Sequence, residues 1–147
     1  MSLSECRKRG WLAEHKTDAL EIASLFAIVA REISDSQVKG ISPDGMFTHA
    51  YRASLTPSTI LLYASGYSVS RGHSHHHRTI ACLPKILGDE IIHDAKYLDK
   101  CRELRNAAEY EGIHESSAID GEGLVEFTKA FERQVRTWVK KNRAEFM

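Results

Sequence analysis

Apolar side chains recur along this chain at three- and four-residue intervals, and polar or helix-breaking residues cut the pattern into segments. Ile22, Phe26, Val29 and Ile33 form the first long stripe, behind an Asp18-x-x-Glu21 sequence of capping-box form. A helix is therefore predicted over about 18–36, after a short amphipathic stretch at 6–13. Gly40 closes the connection, and Ser42-Pro43 opens the next helix, since proline suits the first helical position. Phe47, Tyr51, Leu55 and Leu62 carry that helix to about residue 65, where Gly66 stops it. Pro57, lacking an N–H, is expected to kink or divide it. Residues 67–74 read as a loop. Ile80, Leu83 and Leu87 then share one face of a shorter helix over about 75–87, made irregular by Pro84. Gly88-Asp89 reads as a stop followed by an N-cap, opening a helix that ends near residue 112. The last helix starts between 117 and 120 and packs through Leu124, Phe127, Phe131, Val135 and Trp138. No strand pattern competes. The prediction is an all-α, up-and-down bundle of four to five helices with short connections.

Composition fits one domain, 1–147. No internal repeat, low-complexity tract or long linker divides the 147 residues, and with 42% apolar and 27% charged residues they can bury a core. A formal net charge of zero argues against indiscriminate coating of nucleic acid, which scales with the number of phosphates neutralised. Charge is nevertheless uneven: Lys129, Arg133, Arg136, Lys140, Lys141 and Arg143 outnumber Glu132 and Glu145, while 89–115 is acid-rich. Either a solvated helix face or a binding patch answers to that pattern. No stretch approaches the roughly 20 apolar residues of a membrane span, and the opening MSLSECRKRG lacks the apolar region of a signal peptide. A cytoplasmic protein without membrane association is expected. Cys6, Cys82 and Cys101 form no Cys-x-x-Cys unit and suggest neither a disulfide framework nor a zinc ribbon; Cys101 reads as a core thiol.

Two features stand apart from this plan. In LDKCRELRNAAEYEG, residues 98–112, the apolar row Ile91, Ala95 and Leu98 continues through Arg102 to Arg105, bordered by Tyr97, Cys101, Leu104 and Ala108. A guanidinium at the border of packed helices needs a partner, which can be Glu109 one turn on, a neighbouring helix, or an anionic ligand such as phosphate. The second feature is RGHSHHHRT, residues 71–79, where His73, His75, His76 and His77 stand just before or at a helix start. Adjacent imidazoles point in different directions on a helix, and no cysteine or carboxylate at ligand spacing joins them, so no metal and no cofactor are expected. The helix N-terminus, flanked by Arg71 and Arg78, suits an anion through its free N–H groups; otherwise the histidines cap the helix or pack between helices. Nucleophile elbows and Gly-rich phosphate loops are absent from the sequence, and no carboxylate cluster suited to magnesium is visible.

The order and spacing of SPDGMFTHAYRAS, LLYASGY, SHHHRTI and LRNAAEYEG, followed by the amphipathic last helix ending in Trp138-Val139, resemble a small stand-alone bacterial member of the HEPN superfamily. That name refers to higher-eukaryote and prokaryote nucleotide binding, and the likeness spans nearly the whole chain. The resemblance implies a bundle of four or five helices that homodimerises, with its site near the dimer interface. Many HEPN proteins are metal-independent ribonucleases of toxin-antitoxin and defence systems. Their motif is an arginine, a polar neighbour and a histidine four to six residues further on. Arg105-Asn106 matches the first half, while Tyr110 stands at the histidine position and His114 lies farther along. A phenol ionising near pH ~10 is a poor base at neutrality, so proton transfer falls to the histidine run. The catalytic candidates are therefore Arg105, Asn106, Tyr110, His76 and His77, and the ligand-binding candidates Arg105, Arg78 and His75. The expected function is binding of RNA or a nucleotide, with weak metal-independent ribonuclease activity as a toxin-antitoxin or defence component. A nucleotidyltransferase-like antitoxin is the candidate protein partner. The alternative is a noncatalytic dimeric helical module in which Arg105, Asn106 and Tyr110 form an internal polar network that fixes a helix end.

Overall fold

Asp18 begins helix α2 (Ala19–Ser36) by accepting the Glu21 amide at 2.8 Å, which is one half of the capping box. The other half is absent, because the Glu21 carboxylate turns to Thr17 and His15, each 2.7 Å from its Oε1. Ser42 starts α3 (Pro43–Ala64) in the same way, accepting the Gly45 amide at 3.0 Å ahead of Pro43. The computed structural model describes residues 1–70, 72, 75–110 and 118–147, with 108–110, 118 and 119 described through the backbone alone. Its remaining helices are α1 (Leu3–Lys8), α4 (His75–Ala81), α5 (Leu83–Leu87), α6 (Ile92–Tyr110) and α7 (Ala118–Asn142). The protein is an all-α helical bundle. None of the described helices is long and apolar enough to cross a membrane.

Helix α3 is the central element, packing most extensively against α7 and α2 and also meeting α4, α5 and α6. One apolar core gathers Ile22 and Phe26 from α2, Phe47, Tyr51, Ile60 and Leu61 from α3, Leu98 from α6, and Leu124, Phe131, Val135 and Val139 from α7. Ile22, Phe26, Phe47, Tyr51, Leu124, Phe131 and Val135 are stripe residues the 3.6-residue period picks out, whereas Leu55, Phe127 and Trp138 are only partly buried and Ile60, Leu61 and Val139 join the core beside them. A hydroxyl inside this core is satisfied locally: Thr128 donates to the Leu124 carbonyl at 2.7 Å.

The structure departs from the sequence-based expectation in four places. The segment expected to be a loop begins with a strand, β2 (Tyr67–Val69), which pairs antiparallel with β1 (Leu12–Glu14), Leu12 opposite Val69. Three-residue strands are shorter than any window in which a two-residue period can show, and their pairing is non-local. Burial of Cys6, Leu12, Leu62 and Cys82 in a second small cluster holds this N-terminal piece on the bundle. Pro57 lies inside α3 without dividing it, and its neighbours Ala53, Ser54, Ser58 and Ile60 are all buried, so packing holds the helix across the missing N–H. The single helix expected over 75–87 is two helices, α4 and α5, broken at Cys82. Pro84 has no amide to continue α4, yet it is well placed in the first turn of α5. Finally, Gly88 at φ 88° ends α5, a backbone angle that favours glycine, and a single 3-10 turn at Asp89–Ile91 intervenes before α6. The expected end of that helix near residue 112 lies outside the described residues.

Candidate functional site

His76 of the histidine run and Arg105 of the Arg-Asn pair, far apart in sequence, meet around one buried aromatic ring. Tyr51, on α3 and 1% exposed, has its hydroxyl 3.2 Å from Nδ1 of His76 on α4. The Arg105 guanidinium of α6 lies over the same ring at 5.4 Å from its centre. Burial raises the Tyr51 phenol to about 12, against the opposing pull of Arg105 and Arg102. At neutral pH it is therefore a hydrogen-bond donor and no base. When it donates to Nδ1 of a neutral His76, the proton of that imidazole sits on Nε2.

A second pair of contacts continues the cluster toward solvent. Asp99 accepts from Arg102 Nε at 2.8 Å and lies 3.1 Å from Nδ1 of His77. The hydrogen bond from Arg102, and then that from His77, holds the Asp99 carboxyl below the usual carboxylate range, while Asp99 raises Arg102 in turn. Two arginines of α6 and two imidazoles of α4 thus gather about Tyr51 of α3 and the Asp99 carboxylate. His77 and Asp99 also form one edge of an open groove of about 530 Å3 between α4, α5 and α6, which has an apolar floor of Ile80, Pro84, Ile92 and Ala95.

Of the sequence-derived candidates, His76 and Arg105 both meet Tyr51, while His77 meets Asp99. Asn106 is half-buried one position after Arg105 on α6. His75 is exposed and meets the His76 ring edge-on at 5.8 Å between centres. Arg78 is turned elsewhere, its guanidinium over the Trp11 ring at 5.4 Å, where it ties α4 to the segment between α1 and β1. Tyr110 is the last residue of α6, and its side chain, like that of Glu109, lies outside the described residues, as do Arg71, His73 and His114. Among the partners left open for Arg105, the neighbouring helix supplies one through Tyr51. The C-terminal basic residues are partly engaged on their own helix or core: Arg136 pairs with Glu132 and covers the Phe26 ring at 4.1 Å, and Lys129 lies 3.5 Å from Glu126.

Sequence reasoning missed Tyr51 and Asp99 as site residues. Asp99 was legible, since it stands three positions before Arg102 on one helix face. Tyr51 carried no such signal, because an aromatic in an apolar stripe reads as core. A further cluster, Glu32, Asp35 and His49, is brought together by α2 and α3. No family model, curated protein or solved structure matches this chain.

Proposed function

We propose that this protein is a HEPN-like helical domain that binds RNA or a nucleotide at the Tyr51–His76–Arg105 face and cleaves RNA weakly without a metal ion. The observation that carries the reading is the contact of Tyr51 with both His76 and Arg105, which unites a proton-transfer group with a fixed positive charge. Cleavage there needs an imidazole to take the 2′-hydroxyl proton as that oxygen bonds to phosphorus. The 5′-oxygen leaves and takes up a proton, and Arg105 offsets the negative charge that builds on the phosphoryl oxygens. His76 and His77, on successive positions of α4, are the proton-transfer pair, and Asn106 is the polar neighbour. The proposed assembly is a homodimer, with a nucleotidyltransferase-like antitoxin as the cognate partner in a toxin-antitoxin or defence setting, in the cytoplasm.

The test is incubation of purified protein with mixed RNA, with and without chelator, beside a His76→Ala/His77→Ala variant. Cleavage that persists in chelator and is lost in the variant is the expected result, since positioned acid-base groups contribute about 100-fold to 10,000-fold. Cleavage indifferent to the substitution removes the histidine role. RNA binding without cleavage reduces the protein to a binder, and neither binding nor cleavage leaves a noncatalytic dimeric module in which Tyr51, His76 and Arg105 brace α3, α4 and α6. Light scattering that returned only the mass of one chain would refute the homodimer.

A further inference from the structure

Two carboxylates and an imidazole converge where α2 packs on α3. Glu32 and Asp35 lie one turn apart on α2, so they share a face, and His49 reaches them from the first half of α3. One donor atom from each lies within 4.8 Å of the other two. Glu32 is 9% exposed, and its Oε2 is 2.7 Å from Nδ1 of His49. Among the described residues no lysine or arginine pairs with Glu32 or Asp35. With both carboxylates ionised, a single imidazole leaves the cluster net negative in either of its protonation states. A buried carboxylate in that position calls for a further positive charge.

We infer that Glu32, Asp35 and His49 form a binding site for a first-row divalent transition-metal ion, ligated by His49 Nδ1 and one oxygen of each carboxylate. The donor set decides the class. One imidazole nitrogen with two carboxylates suits zinc, manganese or iron, whereas magnesium and calcium favour oxygen alone. Ligands at about 2.0–2.2 Å from an ion stand roughly 3 Å apart, close to the separation already present between Glu32 and His49. Asp35 and His49 are only half-buried, so Asp35 can rotate to close the set and water can complete the coordination. The site is separate from the Tyr51 face: His49 and Tyr51 are two positions apart on α3, about 200° around the helix. An ion here joins α2 to α3 and acts on stability, independently of RNA chemistry.

The experiment is calorimetric titration of untagged, chelator-stripped protein with zinc chloride and then manganese chloride, alongside thermal melts. Three variants are compared: Asp35→Asn, which keeps the Glu32–His49 pair and so the helix contact, His49→Gln, and His75→Ala/His76→Ala/His77→Ala. Zinc is expected to bind and raise the melting temperature, with excess magnesium failing to displace it. Affinity should fall by about 10-fold or more in Asp35→Asn and about 100-fold in His49→Gln, since loss of a direct ligand costs at least what loss of an outer partner does. The histidine-run variant should bind as the wild type does. Zinc binding that survives both single substitutions in folded protein, that disappears with the histidine run, or that is absent below millimolar zinc overturns the site.

Discussion

Arg105 lies over the face of Tyr51, with 5.4 Å between the guanidinium carbon and the ring centre, while the hydroxyl of that ring reaches His76 at 3.2 Å. A cation over an aromatic face contributes about 0.5–2 kcal/mol, the larger values where water is excluded. Tyr51 is buried and Arg105 half-buried, so the contact helps hold a guanidinium at the edge of an apolar core and links α6 to α3.

Replacing Arg105 tests how its interactions divide between folding and ligand. Arg105→Gln is expected to lose the cation–aromatic contact with Tyr51, worth about 0.5–2 kcal/mol. RNA affinity should fall, and its logarithmic salt dependence should become shallower by about one phosphate contact. Chemical denaturation and RNA titration at several salt concentrations check both. A loss of about 3–5 kcal/mol would assign Arg105 to a buried internal pair and remove it from the ligand site.

Tyr51→Phe removes one hydroxyl and keeps the ring under Arg105. Loss of the single hydrogen bond to His76 should cost about 0.5–1.5 kcal/mol. Because burial raises the folded phenol to about 12, its stabilising protonated state is complete below the unfolded value near ~10. Wild-type stability should therefore decline as alkali passes from about pH 10 toward 12, and the variant should lack that component. Ultraviolet titration beside denaturation measures both; phenolate from Tyr51 in folded protein below pH ~10 would contradict the burial account.

Asp99→Asn should act on the acid limb. The folded Asp99 carboxyl is depressed by its hydrogen bonds from Arg102 and His77, so its contribution is present above the unfolded value near ~4 and is lost as pH falls through the lower folded value. The pair is partly exposed, with side chains 20% and 29% accessible, which limits the effect to about 1 kcal/mol at pH 6. The gap between wild type and variant, followed by urea melts from pH 6 to pH 2.5, should close on the acid side.

Thiol chemistry is expected to be silent in the folded protein. Cys6, Cys82 and Cys101 are all buried and free, and burial pushes the Cys82 and Cys101 thiols up to about 11. A disulfide reagent at neutral pH should label none of them until denaturant is added. Rapid labelling of native protein would mean that a core helix opens readily.

Two glycines near the start of α7 should respond in opposite ways. A Cβ at Gly123 meets nothing within 4 Å, so Gly123→Ala should stabilise by about 0.5–1 kcal/mol through helix propensity. A Cβ at Gly121 falls 2.9 Å from Cγ and Sδ of Met46, so Gly121→Ala must displace that side chain and should gain less or lose. Paired thermal melts decide between the two.

Much of the helical plan is legible in the residues because helix signals are local. Caps at Asp18 and Ser42, the stop at Gly66 and the stripes of α2 and α7 each depend on neighbours within a turn or two. The break at Cys82 and the pairing of β1 with β2 were not legible, since each rests on packing between distant segments or on strands of three residues.

The sequence by itself determined which side chains are available for chemistry: a guanidinium at the end of an apolar row, an imidazole run at a helix start, and carboxylates at helical intervals. Only the tertiary structure decided which of them meet. Tyr51 joins His76 across 25 positions, His77 joins Asp99 across 22, and Glu32 joins His49 across 17, while Arg78 turns away to Trp11. The physical reason is that periodicity sets the face a residue occupies but carries no information about which helix will cover that face. That choice follows from closing one core around α3, where the buried partners and their exclusion of water select the pairs.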